Sequence, residues 1–135
     1  MRDRAKSLKR IIEVQRQLHN LEELKLARLQ QEVTRCQNEQ NELANAASTH
    51  ESLEGLFADL AARRMKTLHQ QEAWLMPQVN AQAKVVLEHG GRMRNSERLA
   101  EELAVEVRRE DERLMLEELL EVDFARQFAS YKQGG

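Results

Sequence analysis

Helix-breaking residues are almost missing from this chain. Proline occurs once, at Pro77, and glycine only at Gly55, in the pair Gly90-Gly91 and at the last two positions. A chain so rarely punctuated folds into long helices. Charged residues make up 33% of it and aromatic ones 4%, the profile of extended helices and coiled coils. Three Phe, one Tyr and one Trp in 135 residues are too few large side chains to fill a globular interior at native density. The helices must bury narrow stripes against one another, and the length suits one domain.

Charge is distributed unevenly along the chain. Arg2, Arg4, Lys6, Lys9, Arg10 and Arg16 outweigh Asp3 and Glu13, giving +4 over the first sixteen residues. From Glu97 to Asp123 eleven acidic residues meet only Arg98, Arg108, Arg109 and Arg113, a local charge of −7. The two runs attract if the chain doubles back on itself. Exposed pairs contribute only about 0–1 kcal/mol each, so this asymmetry orients the fold more than it stabilises it.

In the first half, apolar residues at Ile11, Val14, Leu18 and Leu21 alternate by three and four, and a second run follows at Leu26, Leu29, Val33, Cys36, Leu43 and Ala47, with Gln40 as a polar interruption. The spacing predicts a coiled-coil seam, its two registers joined by a stutter between Leu18 and Leu29. Cys36 reads as a seam residue, a small hydrophobe with no histidine near it to activate the thiol. The pattern fades into Ser48-Thr49-His50 and Gly55, which predicts a reversal at about 48–56 between a first helix of about 3–52 and a second of about 56–132. The second arm carries Leu56, Phe57, Leu60, Leu68, Leu75, Val79, Val86, Leu103, Val107, Leu114, Leu120, Phe124, Phe128 and Tyr131. Pro77 and Gly90-Gly91 predict a bend or break there; a reversal near Pro77 instead stays open on the sequence alone. The expected fold is all-α: an elongated antiparallel two-helix coiled-coil hairpin forming a single domain over 1–135.

Few chemistries suit such a chain. Its many Glu are expected to sit in water with ordinary proton affinities, not in a cleft that holds one acid protonated. His19, His50, His69 and His89 are scattered, and His69 with Glu72 is a spacing any Glu-rich helix produces by chance. The glycines do not form a phosphate-binding loop, and no nucleophile has a base partner. The expectation is no enzyme, no metal and no cofactor. The basic stretch is interleaved with acids and lacks stacking aromatics, which argues against nucleic acid. Its polar start is no signal peptide, a lone cysteine fits a reducing compartment, and no apolar run approaches a membrane span, so a cytoplasmic protein is expected.

What remains is recognition by exposed side chains. Leu53, Leu56, Phe57 and Leu60 cluster at helical spacing beside the expected turn, either stapling it or forming a contact patch. Successive residues on a helix project about 100° apart, so Trp74-Leu75-Met76 cannot all face one partner. Trp74 is the residue expected outside, unless a bend at Pro77 buries it.

Three tracts resemble the FliJ family of flagellar type III export, related to the YscO proteins of injectisomes. They are Ser7-Leu8-Lys9-Arg10-Ile11-Ile12-Glu13-Val14 with the Glu-, Leu- and Ala-rich run to Leu29, then Met93-Arg94-Asn95-Ser96-Glu97-Arg98-Leu99 leading into Arg108-Arg109-Glu110, and last Val122-Asp123-Phe124-Ala125-Arg126. The resemblance spans nearly the whole chain. It implies an antiparallel two-helix coiled coil similar to the central stalk of rotary ATPases. Such a protein would be a monomer, enter the ring of the export ATPase hexamer, touch the cytoplasmic domain of the export gate and escort export chaperones, at the inner face of the cell membrane. On that model Arg4, Lys9, Arg10, Glu112, Glu117 and Glu118 face the ATPase, and Leu53, Leu56, Phe57 and Leu60 face the gate. Two competing classes remain: a homodimeric coiled-coil scaffold, and a chaperone that clamps clients between helical arms.

Overall fold

The computed structural model describes residues 2–49 and 55–134. All secondary structure among them is helical: α1, Arg2–Thr49, and α2, Leu56–Gly134. The two form an antiparallel hairpin. Gly55 stands immediately before α2 with φ of +43°, a left-handed conformation that side chains with a Cβ adopt only at a cost. Its carbonyl already accepts the Asp59 N–H at 3.1 Å, which starts the helical hydrogen-bonding pattern.

The contacts divide into two compact units, one joining α1 through Val14 to α2 from Arg94 onward, the other spanning Gln15–Met93. The second unit holds the core. Val33 and Cys36 from α1 pack with Leu68 and Leu75 from α2, and Leu29, Leu43 and Val79 flank them. Cys36 and Leu68 are completely covered. This is the seam expected around Cys36, and its apolar residues are few because two helices can cover only a narrow stripe of each other.

Farther toward the start of α1 the inward face differs from the expected one. Ile11, Val14, Leu18 and Leu21 are 43–55% exposed. The covered or half-covered residues are instead Leu8 and Ile12 in the first unit, and Gln15, His19, Glu22 and Leu26 in the second. They keep the same alternation of three and four that continues through Leu29, Val33, Cys36, Gln40 and Leu43, so no stutter is needed. Polar side chains hold these positions because α2 is shaped for them. Gln82 Nε2 donates to Glu22 Oε2 at 2.5 Å and to the Glu22 carbonyl at 2.9 Å. A Cβ on Gly90 would lie 3.2 Å from His19 Cε1, so the missing side chain leaves the room that the imidazole ring uses. His19 Nε2 in turn meets Glu23 Oε1 at 2.8 Å.

Neither Pro77 nor Gly90-Gly91 breaks α2, which is helical through all three. Pro77 lies on the exposed side, where water can serve the carbonyl that loses its helical partner. Leu75 before it and Val79 after it both pack on the α1 core, holding the helix across the interruption. Trp74 is 69% exposed while Leu75 is buried, as the 100° step between neighbours requires.

The first unit is held by less. Ile12 is buried, Leu103 and Val107 are half-covered, and Arg2 Nη2 reaches Asp111 Oδ1 at 2.6 Å. Beyond Asp111, α2 continues to Gly134. Leu114, Leu120, Phe124, Phe128 and Tyr131, read from their spacing as part of the seam, are all exposed there because no described α1 residue lies opposite them.

The two adjacent glycines should respond differently to alanine. At Gly91 a Cβ meets nothing within 4 Å, so Gly91→Ala should raise the unfolding free energy by about 1 kcal/mol through helix propensity. Gly90→Ala has the same propensity gain but must displace His19, and urea melts should show it gaining clearly less, or losing. Equal gains at both positions would contradict the placement of His19.

Candidate protein-contact surfaces

Three surfaces emerge from the two helices. The first lies beside the turn. Leu56 and Phe57 open α2, and with Leu60 they stand 74%, 64% and 53% exposed. All three remain largely open to solvent. Leu53, expected to join them, lies outside the described residues. Arg63, two turns into α2, pairs only loosely with Asp59, at 3.5 Å.

The second surface is polar and brackets the Cys36 core. Gln40 and Gln37 both donate to Glu72, at 2.8 and 3.1 Å, and Cys36 Sγ approaches Gln71 Oε1 at 3.7 Å. Nearby, Arg64 crosses from α2 to Glu39 at 2.7 Å, while Arg35 holds the other Glu39 oxygen at 2.9 Å and Glu32 at 3.1 Å. These partners favour the ionised carboxylate. Glu72 is held below the ordinary 4.5 first by the hydrogen bond from Gln40 and then by that from Gln37. Glu39 is lowered chiefly by the hydrogen bond from Arg64, and Glu22 chiefly by that from Gln82. A carboxyl depressed by folding contributes stability above its ordinary value and loses it as pH falls through the folded value. The three pairings therefore strengthen α1–α2 register near neutrality and let go in acid. His69 and Glu72 border one shallow groove, but no group of three metal-ligating side chains occurs among the described residues.

The third surface belongs to the first unit. Arg4, Lys9 and Arg10 on α1 are exposed, as are Glu112, Glu117 and Glu118 on α2. The charge distribution predicts that basic and acidic residues meet, and Arg2–Asp111 is one such ion pair between the helices. Glu117 instead lies 3.9 Å from Arg113 on its own helix. Arg4 lines an open groove whose apolar walls are Leu8, Ile11, Leu99 and Leu103 and whose rim includes Asp3, Glu102 and Glu106. That groove was not anticipated. Its signal is that Ile11 and Leu99 each stand one position outside the three-four alternation of their helices, so each leaves a large side chain beside the seam.

The described helices include none long and apolar enough to cross a membrane. The chain matches no protein-family model, no curated protein and no solved structure.

Removing both amide donors to Glu72 should be visible directly. In a Gln37→Ala, Gln40→Ala variant, an NMR carboxyl titration should find Glu72 protonating closer to 4.5, with Glu22 unchanged. An unaltered Glu72 would mean the two glutamines do not hold it.

Proposed function

We propose that this protein is a non-enzymatic stalk and adaptor of a type III protein-export apparatus of the flagellar kind, working in the cytoplasm at the inner face of the cell membrane. The observation that carries the reading is the antiparallel helix pair, which leaves large apolar side chains uncovered at Leu56, Phe57 and Leu60 beside its turn. It also places exposed charges of both signs on the unit holding the start of α1 and the distal part of α2. A protein built this way acts by what it touches. The tracts resembling the FliJ family give those contacts their identity.

In this reading Arg4, Lys9 and Arg10, with Glu112, Glu117 and Glu118, engage the export ATPase hexamer. Charged rim contacts of this kind set orientation and association rate more than affinity. Leu56, Phe57 and Leu60 engage the cytoplasmic domain of the export gate, with Phe57 the best candidate anchor, since aromatic residues dominate interface energetics. Export chaperones are the remaining class of partner. The catalytic work belongs to the ATPase, and the adaptor needs neither cofactor nor metal.

Two substitutions test the two contacts separately. Reversing the charge of Arg4, Lys9 and Arg10 should abolish stimulation of the export ATPase while leaving helicity intact, and unchanged stimulation would remove that assignment. Phe57→Ala should weaken gate binding by at least about tenfold, a loss of about 1.4 kcal/mol or more for an interface anchor; unchanged gate binding would remove the other.

A further inference from the structure

The outward side of α2 carries a second row of residues at the spacing of packed helices. Lys66, Gln70, Trp74, Pro77, Ala81 and Lys84 are separated by steps of four, four, three, four and three, which place them within about 80° of one another around the helix. All six are exposed. Leu68, Leu75 and Val79 project from the other side of the same helix into the core shared with α1. A three-four alternation is what a second helix needs to pack along a first. One such row on α2 meets α1, and the other is open to solvent.

Trp74 stands at the centre of the open row and is the chain's single tryptophan. The next two members of the row, Pro77 and Ala81, are short, so the indole rises above them as a knob. A largely exposed tryptophan ringed by polar side chains has the chemistry of an interface anchor.

Charge decides what it anchors. Between Leu60 and Leu87 the chain has Arg63, Arg64, Lys66 and Lys84 against Glu72 alone, a local +3 in a chain of net −2. Glu72 is occupied by Gln37 and Gln40 of α1, and Arg64 is drawn to Glu39 of α1. No ion pair among the described residues engages Lys66 or Lys84, and Arg63, one turn before Lys66, has only the loose contact with Asp59 at 3.5 Å. The carboxylates of α1 stand across the width of α2, about 10–12 Å, where salt screens exposed charges. The row therefore presents cations around one large apolar group. Three cations so far apart are too sparse to track a nucleic-acid backbone, and a single tryptophan is too little apolar surface for a helix lying in a membrane interface. A helix carrying carboxylates beside an apolar stripe satisfies both features.

We propose that the outward face of α2 from Arg63 to Lys84 docks an acidic amphipathic helix of a partner protein, seating Trp74 among that helix's apolar side chains and pairing Lys66 and Lys84 with its carboxylates. The face runs about 32 Å at 1.5 Å per residue, room for a partner helix of about 20 residues. Trp74 supplies the anchor, and the cations set orientation and select against basic helices. None of these residues belongs to the ATPase or gate contacts, so the inference stands apart from the export reading.

Because Trp74 is the single tryptophan, its emission reports docking at this face directly. The probe is a synthetic helical peptide of about 20 residues with leucines in three-four alternation flanked by glutamates, and its control replaces every glutamate by lysine. Titrated into the full chain, the acidic peptide should shift Trp74 emission to the blue with saturation, more weakly at high salt, and the basic copy should not. Lys66→Glu with Lys84→Glu should weaken the acidic peptide by about tenfold and turn the preference toward the basic copy, with circular dichroism showing unchanged helicity. Trp74→Ala, followed by calorimetry, should weaken it by about thirtyfold. An acidic peptide that leaves the emission unmoved at about 1 mM, the weak end of recognition, would overturn the proposal. So would equal responses to the two peptides, or a shift produced by phosphatidylglycerol vesicles or duplex DNA and not by the acidic peptide, which would assign the face to lipid or nucleic acid.

Discussion

Burial along a seam only one or two side chains wide is the interaction on which this fold depends. In the unit spanning Gln15–Met93 it reduces to Val33, Cys36, Leu68 and Leu75 with three flanking residues, far less apolar contact than a globular domain of similar length would have. Long helices of this composition hold their own hydrogen bonds, but their stability comes mainly from the face they bury. The polar layers at either side of the core are therefore constrained as tightly as the apolar one. Gln82 must meet Glu22, and Gly90 must leave space for His19, or the two helices would shift register to bury something else.

That dependence explains what could be read from the residues and what could not. The scarcity of proline and glycine is enough to predict two long helices, and the three-four alternation from Leu29 to Leu43 identifies the seam around Cys36, because there the apolar residues and the covered face coincide. Exposure of Trp74 follows from helical geometry alone. The face of α1 before Leu26 was illegible for a physical reason. Ile11, Val14, Leu18 and Leu21 make a better apolar stripe than Gln15, His19 and Glu22, and periodicity ranks them by hydrophobicity. The helices rank them by what stands opposite, and a glycine and a glutamine on α2 fit the polar set. Gly90-Gly91 was misread as punctuation for the same reason: viewed along one helix a glycine is a weak point, whereas viewed across the pair it is a socket. Of the candidate contact residues, Leu56, Phe57 and Leu60 stood out by spacing and are exposed, whereas the groove of Leu8, Ile11, Leu99 and Leu103 requires both helices to be in place before it exists.

The same narrowness connects fold to function. A helix pair covers so little of its surface that large side chains left over from the seam remain available for partners, and here they gather beside the turn and along distal α2. A helix hairpin whose exposed apolar residues occur in separate groups can engage more than one partner at once, as the proposed adaptor role would require. Charged residues around those groups guide orientation and limit indiscriminate association.

Cys36 provides the most direct test of the seam, since it is the chain's single cysteine and lies completely covered within it. The measurement is the rate at which its thiol reacts with Ellman's reagent in native buffer, at several protein concentrations and with increasing urea. The native thiol should be protected, the protection should not depend on protein concentration because both helices belong to one chain, and it should disappear together with helicity as urea unfolds the pair. Immediate stoichiometric reaction in native buffer, or protection that vanishes on dilution, would contradict that arrangement.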